Sequence, residues 1–460
     1  MNFLKWRPNL SNWLKFAVVF TVVNLHSLRH LSVILFLVLY VPVVLYVTVK
    51  FLSKVRKDPH SGRWMPLLVL LSVALLGTVT SLILISLSGA ALGLSRFLFA
   101  LPVLFALYLY TDSLQTLRKH LITFAVFFTI ASLSLPLQIL TGPILWFAAS
   151  SERADLQRYS SLLGSLTAFG IVVGSYFVLI QAFRPSLRLL AGLALVVSAV
   201  VSLSKAALVN VGLAILVLLF LNRRAWRKIS IGASALLVIG IAVYYFVPVV
   251  KNHLDVSLVS FGLGDGTVVN YDTSLFDSAF QRLTQWPLAN FEALSHLGNP
   301  LVYVFGGSFG MANTALVYQS DVLAPMAHNQ YAEAITTFGF LGGGALIASM
   351  IVILLRLFRL YRRTHALEFQ LVLLAYLFML INSLFANGTL YQPANASIYY
   401  LALFLATFGH LYVKDSIAEV ADLREPRHQG RLNIQPKRGL RSMRKYAPLS
   451  ALAARLLHTT

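Results

Sequence analysis

One short run of this sequence gathers groups that can exchange protons or hold a polar substrate. It is Met326-Ala327-His328-Asn329-Gln330-Tyr331-Ala332-Glu333, which leads directly into the apolar, glycine-marked segment 334–355. An imidazole titrates near neutrality, so His328 suits proton transfer at physiological pH. The spacing predicts a shared helix face for His328 and Tyr331, three positions apart, with Glu333 following within a turn. Phe338-Gly339-Phe340-Leu341-Gly342-Gly343-Gly344 would let a neighbouring backbone approach closely. A lone interfacial histidine also has a plain reading as a hydrogen-bonded structural residue; the polar cluster around it favours a working site at the mouth of a membrane helix.

Charge supplies the second set of candidates. Of 460 residues, 58% are hydrophobic and 12% charged, and 37 Lys and Arg stand against 16 Asp and Glu for a formal net charge of +21. Mean hydropathy is +0.76, far from the balance of a soluble domain, so a polytopic membrane protein is expected. The basic residues lie mostly in short segments between apolar spans, the pattern that sets orientation in a membrane and not a nucleic-acid footprint. Cysteine is absent, which excludes a disulfide framework, a thiolate nucleophile and Cys-based metal sites. The basic start leads into a short apolar run with no small-residue cleavage site, so no cleavable signal peptide is expected.

A span needs roughly 20 mainly apolar residues. Candidates lie at about 31–52, 66–88, 94–110, 120–141, 162–183, 187–203, 206–221, 229–250, 332–355, 368–386 and 397–413. The run 14–25 is shorter and reads either as a twelfth span or as an interfacial helix. Placing 50–63, 118–119, 184–188, 223–228, 356–363 and the tail after 413 on the cytoplasmic side, with Lys5, Arg7 and Lys15, collects 30 of the 37 basic residues. Both termini are then cytoplasmic, which requires an even number of spans. The expected fold is all-α: a polytopic membrane helix bundle of about 12 spans, 11 if the first is interfacial, with one long, partly helical outer loop. The ranges are 1–250 for the N-terminal transmembrane helices, 251–331 for the extracytoplasmic loop, 332–413 for the C-terminal transmembrane helices and 414–460 for a basic cytoplasmic tail.

Within the long loop, Ser274 with Asp277 three residues on marks a helix start, and Pro287 would end or redirect that helix after Trp286. The glycine-rich turn Val304-Phe305-Gly306-Gly307-Ser308-Phe309-Gly310 lacks the Lys-Ser/Thr ending and the strand–helix setting of a phosphate-binding loop, so a nucleotide site is rejected there. The tail turns basic from Pro436 to Lys445 and reads as a solvated end that leans on anionic lipid.

Seven basic residues remain on the outer side: Arg29, Arg96, Arg153, Arg158, Lys205, Lys251 and Arg282. Positive charge on the side that the orientation rule depletes needs its own reason, and phosphate binding is one. Lys205, in Ser202-Leu203-Ser204-Lys205, sits at the outer end of two apolar spans, where a charge is costly unless paired or wetted. Two readings stand for it: an anion site, or a side chain that snorkels to the interface.

The run His-Asn-Gln-Tyr at 328–331, with the glycine of Thr337-Phe338-Gly339 eleven residues after the histidine and Gly342 to follow, resembles the motif of the bacterial O-antigen ligase and polymerase family. Arg158-Tyr159-Ser160-Ser161 through Gly164 and Gly170 is similar to that family's outer loop and following helix. Arg282 with Trp286, then Pro300 and Gly306 to Gly310, is similar to its long-loop pattern. Lys205 stands where family members tend to carry Arg, which keeps the charge but loses the bidentate fork. The resemblance covers roughly 150–360. It implies a metal-independent membrane glycosyltransferase of the GT-C type, with no cofactor, acting at the outer face of the cytoplasmic membrane. Its donor would be a polyprenyl-pyrophosphate-linked glycan and its acceptor a glycan or a lipid-linked glycan. Membrane lipids and other polysaccharide assembly proteins are the further partners implied, and nucleic acid is not. On this resemblance His328 is the base or the acceptor-orienting residue. Arg158, Lys205 and Arg282 hold the pyrophosphate, and Tyr331 and Glu333 support them.

Residue chemistry is compatible with that role, because preformed cations can stabilise a departing pyrophosphate without a metal. A transporter or flippase would instead place ionisable groups or broken helices near mid-membrane, often in paired halves. A metalloenzyme lacks ligands: His253 with Asp255 and His296 with Glu292 are pairs with no third partner. Polymerase and ligase are separated by electrostatics, since a polymerase holds two lipid pyrophosphates. Arg96, Arg153 and Lys251 remain as contacts for a second, which favours the polymerase. Orientation is directly testable in this cysteine-free chain. Single Cys substitutions at Thr314 and Ser320 are expected to react with a membrane-impermeant thiol reagent in intact cells, and Cys at Ser442 is not. Equal labelling of all three overturns the orientation.

Overall fold

The computed structural model describes residues 11–57, 62–84, 86–144, 146–147, 151–153, 156–164, 168–202, 204–221, 251, 280–295, 298–309, 328–386 and 390–413. The expected span at 229–250, the helix start at Ser274 and Asp277, the loose pairs His253 with Asp255 and His296 with Glu292 (apart from Glu292 itself), and the tail 414–460 lie outside them. The chain runs through α1 (Asn12–Asn24), α2 (Leu28–Leu31), α3 (Val33–Lys57), α4 (Met65–Leu84), α5 (Leu87–Phe97), α6 (Leu101–Tyr110) and α7 (Leu114–Thr141). A hairpin of β1 (Ser151–Arg153) and β2 (Leu156–Arg158) follows, then α8 (Ala168–Leu179), α9 (Pro185–Val201) and α10 (Lys205–Leu221). After these come α11 (Trp286–Ser295), α12 (Leu301–Phe305), α13 (Gln330–Thr364), α14 (Leu367–Asn382) and α15 (Pro393–Phe408). The expected all-α architecture is observed, and the antiparallel hairpin, with Ser151 opposite Arg158, is the one departure among the described residues.

Among the described residues four helices, α3, α4, α7 and α13, are long and apolar enough to cross a membrane, and the pair α5–α6 passes the same test as one bent unit. Their outward faces are plainly apolar: Ile34 is 76%, Ile83 75% and Leu140 83% exposed, far more than water tolerates as a continuous surface. In the interior, α8 and α15 are buried along their whole lengths, the state of a helix that is apolar all round. Polar side chains tie α8 to its neighbours. The Ser175 hydroxyl donates to the Ala375 carbonyl at 2.8 Å, and the Asn210 and Asn382 amides donate to the Gly170 and Ile171 carbonyls, each at 2.8 Å.

The span expected at 94–110 is instead two helices that begin at Leu87 and are bent by 41°. Pro102 lies in the first turn of α6, where its missing N–H leaves no bond unmade. The break at 98–100 is held from outside by the Tyr40 hydroxyl, which donates to the Phe99 carbonyl at 2.6 Å. Pro287 likewise does not end its helix. Gln281–Gln285 form a π turn in which the Trp286 N–H reaches back to the Gln281 carbonyl. Pro287 then occupies the second position of α11, where proline is tolerated.

The bundle has two ends with different chemistry. At one, the Arg63 N–H donates to the Thr407 carbonyl at 2.9 Å, Arg356 Nη1 to the Arg63 carbonyl at 2.9 Å, and the Tyr412 hydroxyl to the Thr111 carbonyl at 3.0 Å. At the other, Gln138 Nε2 donates to the Ser160 carbonyl at 2.8 Å and the Gln330 N–H to the Ser383 carbonyl at 2.7 Å. α1 runs between them. Asn12 Nδ2 donates to Asp112 Oδ2 at 3.2 Å at the first end. Asn24 Oδ1 accepts from the Ser397 hydroxyl at 3.1 Å near the second.

Helix α13 is broken at Gly339, which has φ 70° and ψ 178°. The break strands backbone carbonyls in an apolar interior, where each needs a partner. The glycine turn after α12 supplies them: the Gly307 N–H donates to the Thr336 carbonyl at 2.8 Å and the Ser308 N–H to the Thr337 carbonyl at 3.1 Å. The backbones touch at Gly306 (φ 91°) and Gly339. A Cβ on the first would collide with the Thr337 carbonyl, and a Cβ on the second with that of Val304. Gly306→Ala and Gly339→Ala are each expected to destabilise by at least about 2 kcal/mol, from backbone strain plus overpacking. Gly344→Ala, where a Cβ meets nothing within 4 Å, should be neutral. Thermal unfolding in detergent measures all three, and equal midpoints would contradict the crossing.

Candidate functional site

The four motif residues at the start of α13 divide into one chemical group and three anchors. Asn329 is the N-cap: its Oδ1 accepts from the Tyr331 and Ala332 N–H groups at 3.0 and 3.2 Å. Gln330 binds the far end of α14 through its backbone N–H, and its Oε1 accepts from the Leu390 N–H at 3.4 Å. The Tyr331 hydroxyl donates to the Leu380 carbonyl at 2.8 Å. His328 lies two residues before the helix with φ 45°. The expected shared face with Tyr331 is therefore not formed, because the cap at Asn329 turns the chain before the helix begins. A left-handed backbone at a non-glycine residue is uncommon and points to a side chain whose position matters.

The His328 ring packs on the Trp286 ring, with centroids 4.7 Å apart and a 48° tilt. Over the same indole stands the Arg282 guanidinium, 5.8 Å from the ring centroid. Arg282 Nη1 donates to the Phe385 carbonyl at 2.8 Å, which fixes it to the segment just after α14. The π turn makes this possible, since it brings Arg282 and Trp286 onto one side of the loop helix at the point where α11 meets α13. Burial and then the positive charge of Arg282 push the His328 pKa down to about 4. At neutral pH the imidazole is uncharged and able to accept a proton.

Lys205 is the first residue of α10. A cation at the positive end of a helix opposes the macrodipole, so helix stability does not account for it. Ser204, in front of it, is buried and its hydroxyl accepts from the Ala207 N–H at 3.4 Å. The carbonyls of Gly170 and Ile171 in α8, held by Asn210 of α10 and Asn382 of α14, place the start of α10 beside the end of α14 that also carries Gln330 and Tyr331. Arg158 ends the hairpin, and the residues after it fold back on α7, where the Leu162 N–H donates to the Ser134 hydroxyl at 3.0 Å. Glu333 is buried in the first turn of α13, the favourable helix end for a carboxylate. It faces Tyr391, whose hydroxyl is pushed well above its ordinary range by burial and then by the Glu333 charge.

The structure thus brings His328, Trp286 and Arg282 into direct contact. Arg158 and Lys205 belong to the same end of the bundle on other elements. The Phe385 carbonyl that orients Arg282 was not legible in the sequence, since a backbone acceptor in a loop leaves no residue-type signal. Among the described residues no group of three His, Asp or Glu could hold a metal ion.

No family model matches this chain, and no curated protein matches it.

The protonation state of His328 is directly measurable, because an imidazolium against an indole quenches its fluorescence. The Trp286 contribution, taken as the difference between wild type and Trp286→Phe, should stay constant from pH 7 down to about 5 and fall as His328 gains its proton through about 4. Arg282→Gln removes the charge that disfavours the imidazolium, so the same fall should begin at higher pH. A wild-type transition at 6.5 would contradict the packing described.

Proposed function

We propose that this chain is a membrane glycosyltransferase that polymerises lipid-linked oligosaccharide repeat units into a surface polysaccharide at the outer face of the cytoplasmic membrane. The observation that carries the reading is the contact set at the start of α13: an uncharged imidazole and a fixed guanidinium share the face of Trp286. In this reading the acceptor sugar hydroxyl attacks the anomeric carbon of the donor, the bond to pyrophosphate breaks, and the hydroxyl proton passes to His328. Arg282, with Lys205 and Arg158, holds the departing pyrophosphate and stabilises the charge it gains. Donor binding also tunes the base. The pyrophosphate offsets the Arg282 charge, which after burial is the second cause of the depressed His328, and so makes the imidazole more basic when substrate is present.

Exposed apolar side chains beside the site give the polyprenyl tail a path. Leu288 on α11 and Phe340 and Leu341 on α13 are all exposed, and the Phe291 and Phe340 rings stack at 6.4 Å. A twelve-span topology with both termini cytoplasmic fits the two ends of the bundle. It counts α1 as a span, since that helix connects the Asp112 end to the Ser397 end. The broken helix α13 is a feature shared with transporters, but its freed carbonyls are occupied by the Gly307 and Ser308 N–H groups, so they offer nothing to an ion.

His328→Ala is expected to abolish transfer while donor binding persists. Arg282→Ala should weaken donor binding, and Lys205→Arg should be tolerated. Full turnover by a correctly inserted His328→Ala protein removes the proposed base. The alternative activity, an O-antigen ligase with a lipid-core acceptor, is separated by product size. Purified protein given one lipid-linked repeat unit and no other acceptor should yield a ladder of lengthened chains. Product that forms only after a lipid-core acceptor is added would make it a ligase.

A further inference from the structure

A second group of positive charges lies at the same end of the bundle, on elements that the site above does not use. The connector from α1 to α3 turns through α2 so that the Arg29 N–H donates to the His26 carbonyl at 3.2 Å, one turn back. Across from it, the Phe99 N–H donates to the Arg96 carbonyl at 3.3 Å at the break between α5 and α6. The two turns are docked on each other: the His26 ring meets the Phe99 ring edge-on at 5.4 Å and Phe36 at 6.0 Å, while Phe99 stacks on Tyr40 at 4.5 Å. His30 Nε2 and the Gly164 carbonyl, 3.3 Å apart, join the connector to the loop that follows Arg158. Arg29 and Arg96 are thus brought to one patch by packing between residues a turn away from each.

Among the described residues this patch holds its charges without an acidic partner. Neither Arg29 nor Arg96 forms an ion pair among the described residues. Burial and then Arg96 hold the Arg29 guanidinium below its ordinary value. Burial, then Arg29, His30 and Arg96, push His26 down to about 4, so His26 stays neutral and serves as the packing wedge. Two guanidiniums, Arg29 half-buried and Arg96 exposed, stand together with no acid among the described residues, and a bound anion relieves their repulsion. The surroundings say what kind of anion. Leu31 at the end of α2, Val33, Ile34 and Val38 at the start of α3, and Leu87 and Leu92 on α5 are all exposed, so an apolar face begins where the charges end.

We infer that Arg29 and Arg96 form a second binding site, separate from the Arg282 and His328 site, that takes the pyrophosphate headgroup of a polyprenyl lipid whose tail lies along α3 and α5. The inference rests on the orientation proposed above. Under the polymerase reading it assigns this patch to the second of the two lipid substrates.

Native mass spectrometry of the full chain in detergent, titrated with polyprenyl pyrophosphate, tests it. Wild type should take up two molecules, Arg29→Gln with Arg96→Gln only one, and Arg282→Gln should lose the other while keeping this one. The double lysine variant, which retains charge, should recover the second molecule at least in part and so separates charge from misfolding. Phosphatidylglycerol and inorganic pyrophosphate, offered in place of the polyprenyl lipid, should each bind at least tenfold more weakly. Two molecules on the double glutamine variant would overturn the site. Equal binding of phosphatidylglycerol or of inorganic pyrophosphate would overturn its assignment to a polyprenyl pyrophosphate. If Arg282→Gln still binds both molecules while the double glutamine variant loses one, the proposed catalytic site fails and this one stands.

Discussion

The end of the bundle that carries His328 depends on one backbone crossing. Where α13 breaks at Gly339, two carbonyls lose their helical partners inside an apolar bundle, and the turn at Gly306 to Ser308 returns two N–H groups to them. No side chain substitutes for this contact, because the chains meet where a Cβ would overlap a carbonyl. The crossing also fixes the angle of the first turns of α13, and therefore where His328 emerges. Phe309, next in the turn, packs on Phe338 and Phe97, which carries the same constraint across to α4 and α5.

Around that frame, the polar residues of the His-Asn-Gln-Tyr run have distinct roles. Asparagine caps the start of the helix, glutamine and tyrosine bind it to the end of α14, and the histidine is left outside with a strained backbone and an aromatic neighbour. The separation matters chemically. An imidazole that also anchored a helix would shift the helix each time it took a proton, whereas His328 can titrate with the anchors undisturbed.

Electrostatics at this end follow one pattern at two places. Burial and then Arg282 depress His328, and burial and then Arg29, His30 and Arg96 do the same to His26. In both, positive charge lies beside a partly buried histidine. The difference lies in what accompanies it. His328 packs on an exposed edge of a loop helix, while His26 is wedged among Phe36 and Phe99 and holds two elements together.

Much of this was legible from residue types alone. Apolar runs separated by basic segments marked most of the long described helices, because lipid demands length and apolarity from a span whatever its neighbours are; α5, most of which falls between the runs at 66–88 and 94–110, was not separately legible. The polar cluster at 328–333, the close approach at Gly339 and the cations between apolar runs were legible for a related reason: such residues are expensive at a membrane boundary unless they are paired or wetted. Tertiary structure decided the rest. The bend at 98–100 required Tyr40 to hold it, Pro287 was absorbed by a π turn, and His328 was turned away from Tyr331 by a cap whose partners are backbone groups. Which cations meet which aromatics depended on docking between segments far apart in the chain, Arg282 to Phe385 and Arg29 to the α5–α6 break. A hydrogen bond to a backbone carbonyl is available at almost every position, so no pattern of side chains can announce it before the chain has packed.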